Sequence, residues 1–250
     1  AVTKAGRGTA QLRLTLTGAT LFGSPPQTVP GSGSFSFGAG LGTLSLAPAG
    51  KAGRQPLVFV PGAVYLRPSL PASLLPPGKA WLRLDLTDPA QLARSFPQML
   101  LQVESVNPAL ALDEIAWGTI AADSGGHDQI GGRTVPRYDL RLNLRQALNR
   151  ADGAEAIPFR AAIAAEIAAL GRPGREPTTR VRAWVADDGT VVGVQLLPPG
   201  AGAGVVTFTF GAFGAAVGMA VPPAAEVAAL RAVAPFGERE NQNGGDSDGG

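Results

Sequence analysis

The chain has 250 residues, no cysteine, a net charge of +2, and 16% charged against 45% hydrophobic residues. That composition excludes a disulfide scaffold, thiol catalysis and thiolate metal sites, and it excludes a charge-rich coiled coil or a disordered polyelectrolyte. Alanine (42), glycine (34) and proline (22) dominate, yet the apolar content is that of a folded protein, and a chain of this length buries roughly 70% of its unfolded surface.

Charge is unevenly spread. Residues 1–236 hold 20 basic and 15 acidic side chains, and the last 14 residues carry a net −3. The basic excess is too small and scattered to mark a nucleic-acid partner. Lys4, Lys51 and Lys79 are the only lysines, an arginine bias that marks a GC-rich coding genome. Residues 237–250 contain no apolar side chain and read as a disordered acidic tail, which leaves 1–236 as a single domain.

The first strand is clear: Leu12, Leu14 and Leu16 alternate with Arg13, Thr15 and Thr17, the period of a strand with one dry side. After a Pro/Gly/Ser turn region, residues 34–37 and 41–46 form a hairpin around 38–40. Strands at 57–60, 63–66 and 79–86 follow, the last with Leu82, Leu84 and Leu86 inward and Trp81, Arg83 and Asp85 outward. Asp88 caps and Pro89 opens a helix with Leu92, Phe96, Leu100 and Val103 on one side, broken or kinked at Pro97. Asn107-Pro108 starts a second helix over 109–115. Residues 133–144 alternate again, and 154–170 form an alanine-rich helix with Phe159, Ile163, Ile167 and Leu170 on one stripe. Strands at 179–186, 191–197 and 205–210 come next, the first two joined by an Asp187-Asp188-Gly189 turn. A short helix over 223–232 closes the domain. Residues 204–221 are free of charge, but Val206, Phe208 and Phe210 alternate with Thr207 and Thr209, so the segment is read as β rather than as a membrane span.

Catalytic chemistry is not visible. His127, the only histidine, lies in Asp123-Ser124-Gly125-Gly126-His127-Asp128, where consecutive loop residues do not converge as a triad requires; residues 123–132 are read as a solvated turn. No phosphate-binding glycine motif or nucleophile elbow is present. Asp113-Glu114 is read as helix surface, no metal or cofactor is expected, and the protein is read as non-enzymatic. Arg13, Arg83, Arg137, Arg141, Arg180 and Arg182 point outward, making a solvated face or one that meets anionic lipid headgroups. The apolar faces allow two arrangements. Either the helices plug the sheet and give a solid core, or they stand apart and leave a ligand cavity.

The order of several segments adds to this. Gly33-Ser34-Phe35-Ser36-Phe37, Val64-Tyr65-Leu66-Arg67, the strand 78–86, Asp88-Pro89, Ile130 to Tyr138, Asn143 to Ala147 and Trp184 to Gly189 together resemble the LppX/LprG (LprAFG-type) lipoproteins of actinobacteria, and more distantly the LolA/LolB lipoprotein carriers, over roughly 9–232. The resemblance implies an α+β fold: a strongly curved antiparallel sheet, a half-barrel, with α-helices covering its concave face and an apolar cavity between them. It implies non-enzymatic binding or transport of a lipid or acylated molecule by a monomer in the cell envelope. It also implies anchoring outside the cytoplasmic membrane through a lipidated N-terminal cysteine, which with its leader is expected to lie outside this chain. Lipid-binding candidates are then Val58, Val60, Leu66, Leu84, Leu142, Val181 and Phe208 from strands, with Leu92, Phe96, Leu100, Ile163 and Ile167 from helices. The alternative is a solid-core envelope interaction or sensor module acting through surface loops such as 123–132.

Overall fold

A computed structural model describes residues 8–19, 27–48, 53–67, 75–87, 106–151, 157–170, 176–197 and 204–229. The helix expected from Asp88, with Leu92, Phe96 and Leu100, and the tail 237–250 lie outside these residues.

Among the described residues twelve strands form one open sheet: β1 (Thr9–Ala19), β2 (Gln27–Ser36), β3 (Leu41–Leu46), β4 (Gln55–Val60), β5 (Ala63–Leu66), β6 (Trp81–Asp85), β7 (Thr119–Ile130), β8 (Arg133–Asn143), β9 (Thr178–Val185), β10 (Val191–Leu197), β11 (Val205–Gly211) and β12 (Val227–Ala229). Their spatial order is β12-β6-β5-β4-β3-β2-β1-β11-β10-β9-β8-β7. Two sequential antiparallel meanders are therefore joined along a single seam, where Gln11–Thr17 pairs with Val205–Gly211. Among the described strands only β12 pairs in parallel, beside β6.

Among the described residues three helices accompany the sheet: α1 (Pro108–Gly118), α2 (Leu144–Arg150) and α3 (Ile157–Leu170). The Asn107 side chain accepts from the Ala109 amide at 3.1 Å, with Pro108 in the first turn. Asn143 ends β8 and also caps α2, accepting from the Gln146 amide at 2.9 Å. A side-chain acceptor satisfies an amide that the first helical turn leaves free. None of the helices among the described residues is long and apolar enough to cross a membrane.

Alternation decides which side of the sheet is dry. Leu12, Leu14 and Leu16 of β1 face Phe210, Phe208 and Val206 of β11 across the seam, and all six are buried. The same face continues through Leu44 and Leu46 of β3, Leu57 and Phe59 of β4, and Leu82 and Leu84 of β6.

Four segments differ from the sequence expectation. The turn region before Ser34 is strand from Gln27 onward. Pro30 is tolerated because its carbonyl accepts from Ala47, one residue past the end of β3, so its missing N–H falls at the end of that ladder. Residues 123–130 are strand rather than loop: β7 pairs with β8, and the turn is confined to Gly131-Gly132 between Ile130 and Arg133. Both glycines have positive φ (59° and 79°), as a tight two-residue hairpin turn demands. Leu144, read as the last residue of the strand over 133–144, instead opens α2, a helix the alternation did not indicate. The closing helix over 223–232 is instead a single 3-10 turn at Ala224–Glu226 followed by β12. There Ala80 donates to the Glu226 carbonyl at 2.9 Å and Lys79 Nζ to the Ala225 carbonyl at 2.8 Å, so pairing with β6 overrides the helical preference of alanine.

Candidate ligand-binding face

The predicted strand residues divide by register. Leu66 pairs with Leu57 and Leu82, and Val64 with Phe59 and Leu84, so Leu66 and Leu84 lie on the dry face. Leu142 and Val181 of the second meander, and Phe208 at the seam, belong to the same buried cluster. Val58 and Val60 do not share that face. Val58 is opposite Thr43 and Tyr65, which puts both valines on the other side of β4 and Leu57 and Phe59 on the dry side. Leu57-Val58-Phe59-Val60 is apolar throughout, so its composition carries no parity; only the pairing with Leu66 and Val64 sets it.

The helices make a second arrangement. Val106 and, from α1, Ala111, Leu112 and Ile115 join the sheet cluster. Leu110 and Trp117 on another side of α1 pack with Leu144 and Ala147 of α2 and with Phe159, Ile163 and Ile167 of α3, and Trp117 meets the Phe159 ring edge-on at 4.6 Å. Ile163 and Ile167 therefore line an interhelical cluster. Among the described residues α1 alone contributes to both clusters.

Glu114 falls between Leu110 and Trp117 on the side of α1 that meets α3, and it is 8% exposed. This corrects the reading of Asp113-Glu114 as helix surface: α1 is apolar on two sides, so little of it is left for water. Burial raises the Glu114 carboxyl well above the usual range, and the Glu166 charge on α3 raises it further. Burial also pushes Glu166 up to about 7 and Asp113 up to about 6. Both glutamates bind a proton more tightly folded than unfolded, so the folded state gains from low pH and loses stability as pH rises from about 4.5 through 7. We expect Glu114→Gln to stabilise the protein by about 1–3 kcal/mol at pH 8 and to flatten that dependence. Thermal melts of both proteins between pH 5 and 8.5 would check this; parallel curves would contradict it.

Across β11 to β8 the opposite face of the sheet is polar. A row of side chains crosses β11, β10, β9 and β8: Gln195 Nε2 donates to Thr207 Oγ1 at 3.1 Å, Arg182 to Gln195 Oε1 at 3.1 Å, and Arg182 Nε to Asp139 at 3.0 Å. Trp184 lies over Gly193, where a Cβ would come within 2.8 Å of the ring, and its indole N–H donates to Asp128 at 2.8 Å. That bond, with the Arg137 guanidinium at 3.2 Å, holds the Asp128 carboxyl below the usual range. Asp128 is thus committed to the sheet surface. Exposed His127 is opposite Pro136, and Ser124 is opposite Tyr138; the three form no relay. Among the described residues no group of three His, Asp or Glu side chains is placed to hold a metal.

With this geometry the chain is similar to several solved structures. LprF from Mycobacterium bovis shares 13% identity, with 88% of this chain and 91% of that chain covered and a TM-score of 0.45. The lipoprotein LppX of Mycobacterium tuberculosis shares 12% identity over 87% of this chain and 91% of that chain, with a TM-score of 0.47. A LolA superfamily protein from Nitrosomonas europaea shares 8% identity over 87% of this chain and 88% of that chain, with a TM-score of 0.31. No protein-family model and no curated protein matches the sequence.

Proposed function

We propose that this protein is a non-enzymatic carrier of a lipid or acylated molecule in the cell envelope, holding acyl chains against the dry face of the sheet. The observation that carries the reading is the continuity of that face across the seam. Apolar side chains run from Leu82 and Leu84 at one end, through Leu14 and Phe208, to Val181 and Leu142 near the other. Twelve strands at about 4.8 Å spacing span roughly 50 Å, and open sheets of more than about ten strands curl. Gly33 supports a tight bend: a Cβ there would lie 1.8 Å from the Thr43 carbonyl oxygen, a close approach of the kind that strand glycines mark. An apolar channel inside such a curl suits a molecule whose affinity comes from buried methylene groups, about 0.8 kcal/mol each. Leu66, Leu84, Leu142, Val181 and Phe208 are the proposed lining; the sequence resemblance given above supports the same reading.

The test is organic extraction and mass spectrometry of the exported protein, wild type beside Leu142→Trp. Leu142 is fully buried. In a carrier the added indole occupies ligand space, and co-purified lipid should fall several-fold while the thermal melt stays cooperative. A solid core instead gives no lipid with either protein, and overpacking lowers stability by about 1–3 kcal/mol.

A further inference from the structure

Residues 212–223 read Ala-Phe-Gly-Ala-Ala-Val-Gly-Met-Ala-Val-Pro-Pro, without one ionisable or hydrogen-bonding side chain. They lead from the end of β11 towards β12, and all but Pro222 are at least partly exposed. Phe213 and Val221 are two of the three large hydrophobic side chains exposed among the described residues, at 45% and 50%. The start of this strap is held in place: Gly214 donates to the Thr9 carbonyl at 2.9 Å and Ala215 to the Ala212 carbonyl at 3.2 Å. Ala212 has a φ of 45°, the one non-glycine residue in the left-handed region among those described, and Gly214 follows at 83°. Left-handed backbone costs an alanine roughly 1–2 kcal/mol, so the fold holds a phenyl ring in water at the expense of a strained residue. Just before the strap, Phe210 at the end of β11 takes the Phe37 ring edge-on at 5.6 Å, and both belong to the dry-face cluster.

We propose that this strap is a membrane-contacting element, with Phe213 and Val221 entering the headgroup–acyl boundary of a phospholipid bilayer. Two exposed large side chains fall well short of the roughly 800 Å² per partner that a stable protein interface buries, which disfavours a second copy. A bilayer requires no shape match, and each apolar side chain contributes separately. The strap offers no polar side chain with which a protein partner could fix register. Its irregular backbone must stay hydrated, which sets the depth at the interface rather than in the hydrocarbon. At the far end of the strap Lys79, bonded to the Ala225 carbonyl, and exposed Glu226 are of opposite sign, and the strap itself has no charge, so contact is driven by apolar burial and not by anionic lipid. This inference is independent of whether the dry face holds a ligand.

Because the chain has no cysteine, Phe213→Cys and, as a control on the polar face, Arg180→Cys each take a single environment-sensitive fluorophore. With phosphatidylcholine vesicles in 0.5 M NaCl, the probe at 213 should shift to the blue and be quenched by brominated lipid, and the probe at 180 should not. With the probe at Val221→Cys, adding Phe213→Ser should weaken vesicle partitioning about tenfold, the ratio corresponding to about 1.4 kcal/mol; circular dichroism confirms that each variant is folded. No shift at 213, equal shifts at both positions, loss of the effect in salt, or a shift at 213 that grows with protein concentration in the absence of vesicles would each overturn the proposal. The last of these would identify the strap as an interface between copies.

Discussion

Gly33→Val should destabilise the protein by more than about 3 kcal/mol, the range of severe core overpacking, and in most preparations should prevent folding. Gly33 lies in β2 with Leu12 on one side and Leu44 on the other. A Cβ at this position meets the Thr43 carbonyl oxygen at 1.8 Å, the Thr43 carbonyl carbon at 2.8 Å and the Leu44 Cα at 3.0 Å. All three are backbone atoms of β3, so no side-chain rotation relieves the clash and the two strands must separate. Gly211→Ala is the matched control, since its Cβ would meet nothing within 4 Å. Denaturant titration of the three proteins decides the matter: a Gly33→Val variant as stable as wild type would show that β2 and β3 do not approach as described. The mutation also bears on the carrier reading, because forcing β2 and β3 apart disturbs the dry face beside Leu12 and Leu44 and should release bound lipid before global unfolding.

Phe208→Ala should cost about 3–5 kcal/mol, the usual range for deleting a fully buried aromatic ring. Phe208 is fully buried at the seam between the two meanders, opposite Leu14 on one side and Val194 on the other, and it stacks on Phe210 with ring centroids 6.3 Å apart. Its loss therefore weakens the strand pairing that joins the two meanders. Measured on lipid-free protein, the deficit should be partly restored by a long-chain fatty acid, because a cavity lined by leucine and valine stays dry and accepts apolar molecules. An unchanged melting temperature would mean that the ring is not packed at the seam.

Much of the sheet was legible because period 2 is unambiguous where apolar and polar residues alternate, as in Leu12 to Thr17 or Thr179 to Val185. The parity of β4 was not, since all four of Leu57 to Val60 are apolar and only the neighbouring strand chooses between them. The edge strand β7 was missed for the opposite reason. It is largely exposed, with Asp123, Ser124, Gly126 and His127 all in contact with water, so no dry face imprints an alternation on it. Within the candidate site, Leu66, Leu84, Leu142, Val181 and Phe208 followed from alternation. Ile163 and Ile167 fall on one stripe of α3, Ile163 buried and Ile167 half-buried, but a stripe does not say which surface it meets; here it is α1 and α2. Glu114 was legible only in hindsight, as the polar member of a stripe from Leu110 to Trp117.

The seam between β1 and β11 also governs how the protein is made. Residues 11–17 find their second partner only after residues 205–211 exist, about 190 residues later. At a synthesis rate of roughly 5–20 residues per second, that is a wait of about 10–40 s. During it the first meander has β1 as an uncapped edge, with backbone donors and acceptors exposed beside Leu12, Leu14 and Leu16. Such edges recruit other strands, and pairings across so long a loop are slow to form. A chain that must cross a membrane before folding gains from this delay, because its sheet remains incomplete, and the chain therefore threadable, until residues 205–211 have been delivered.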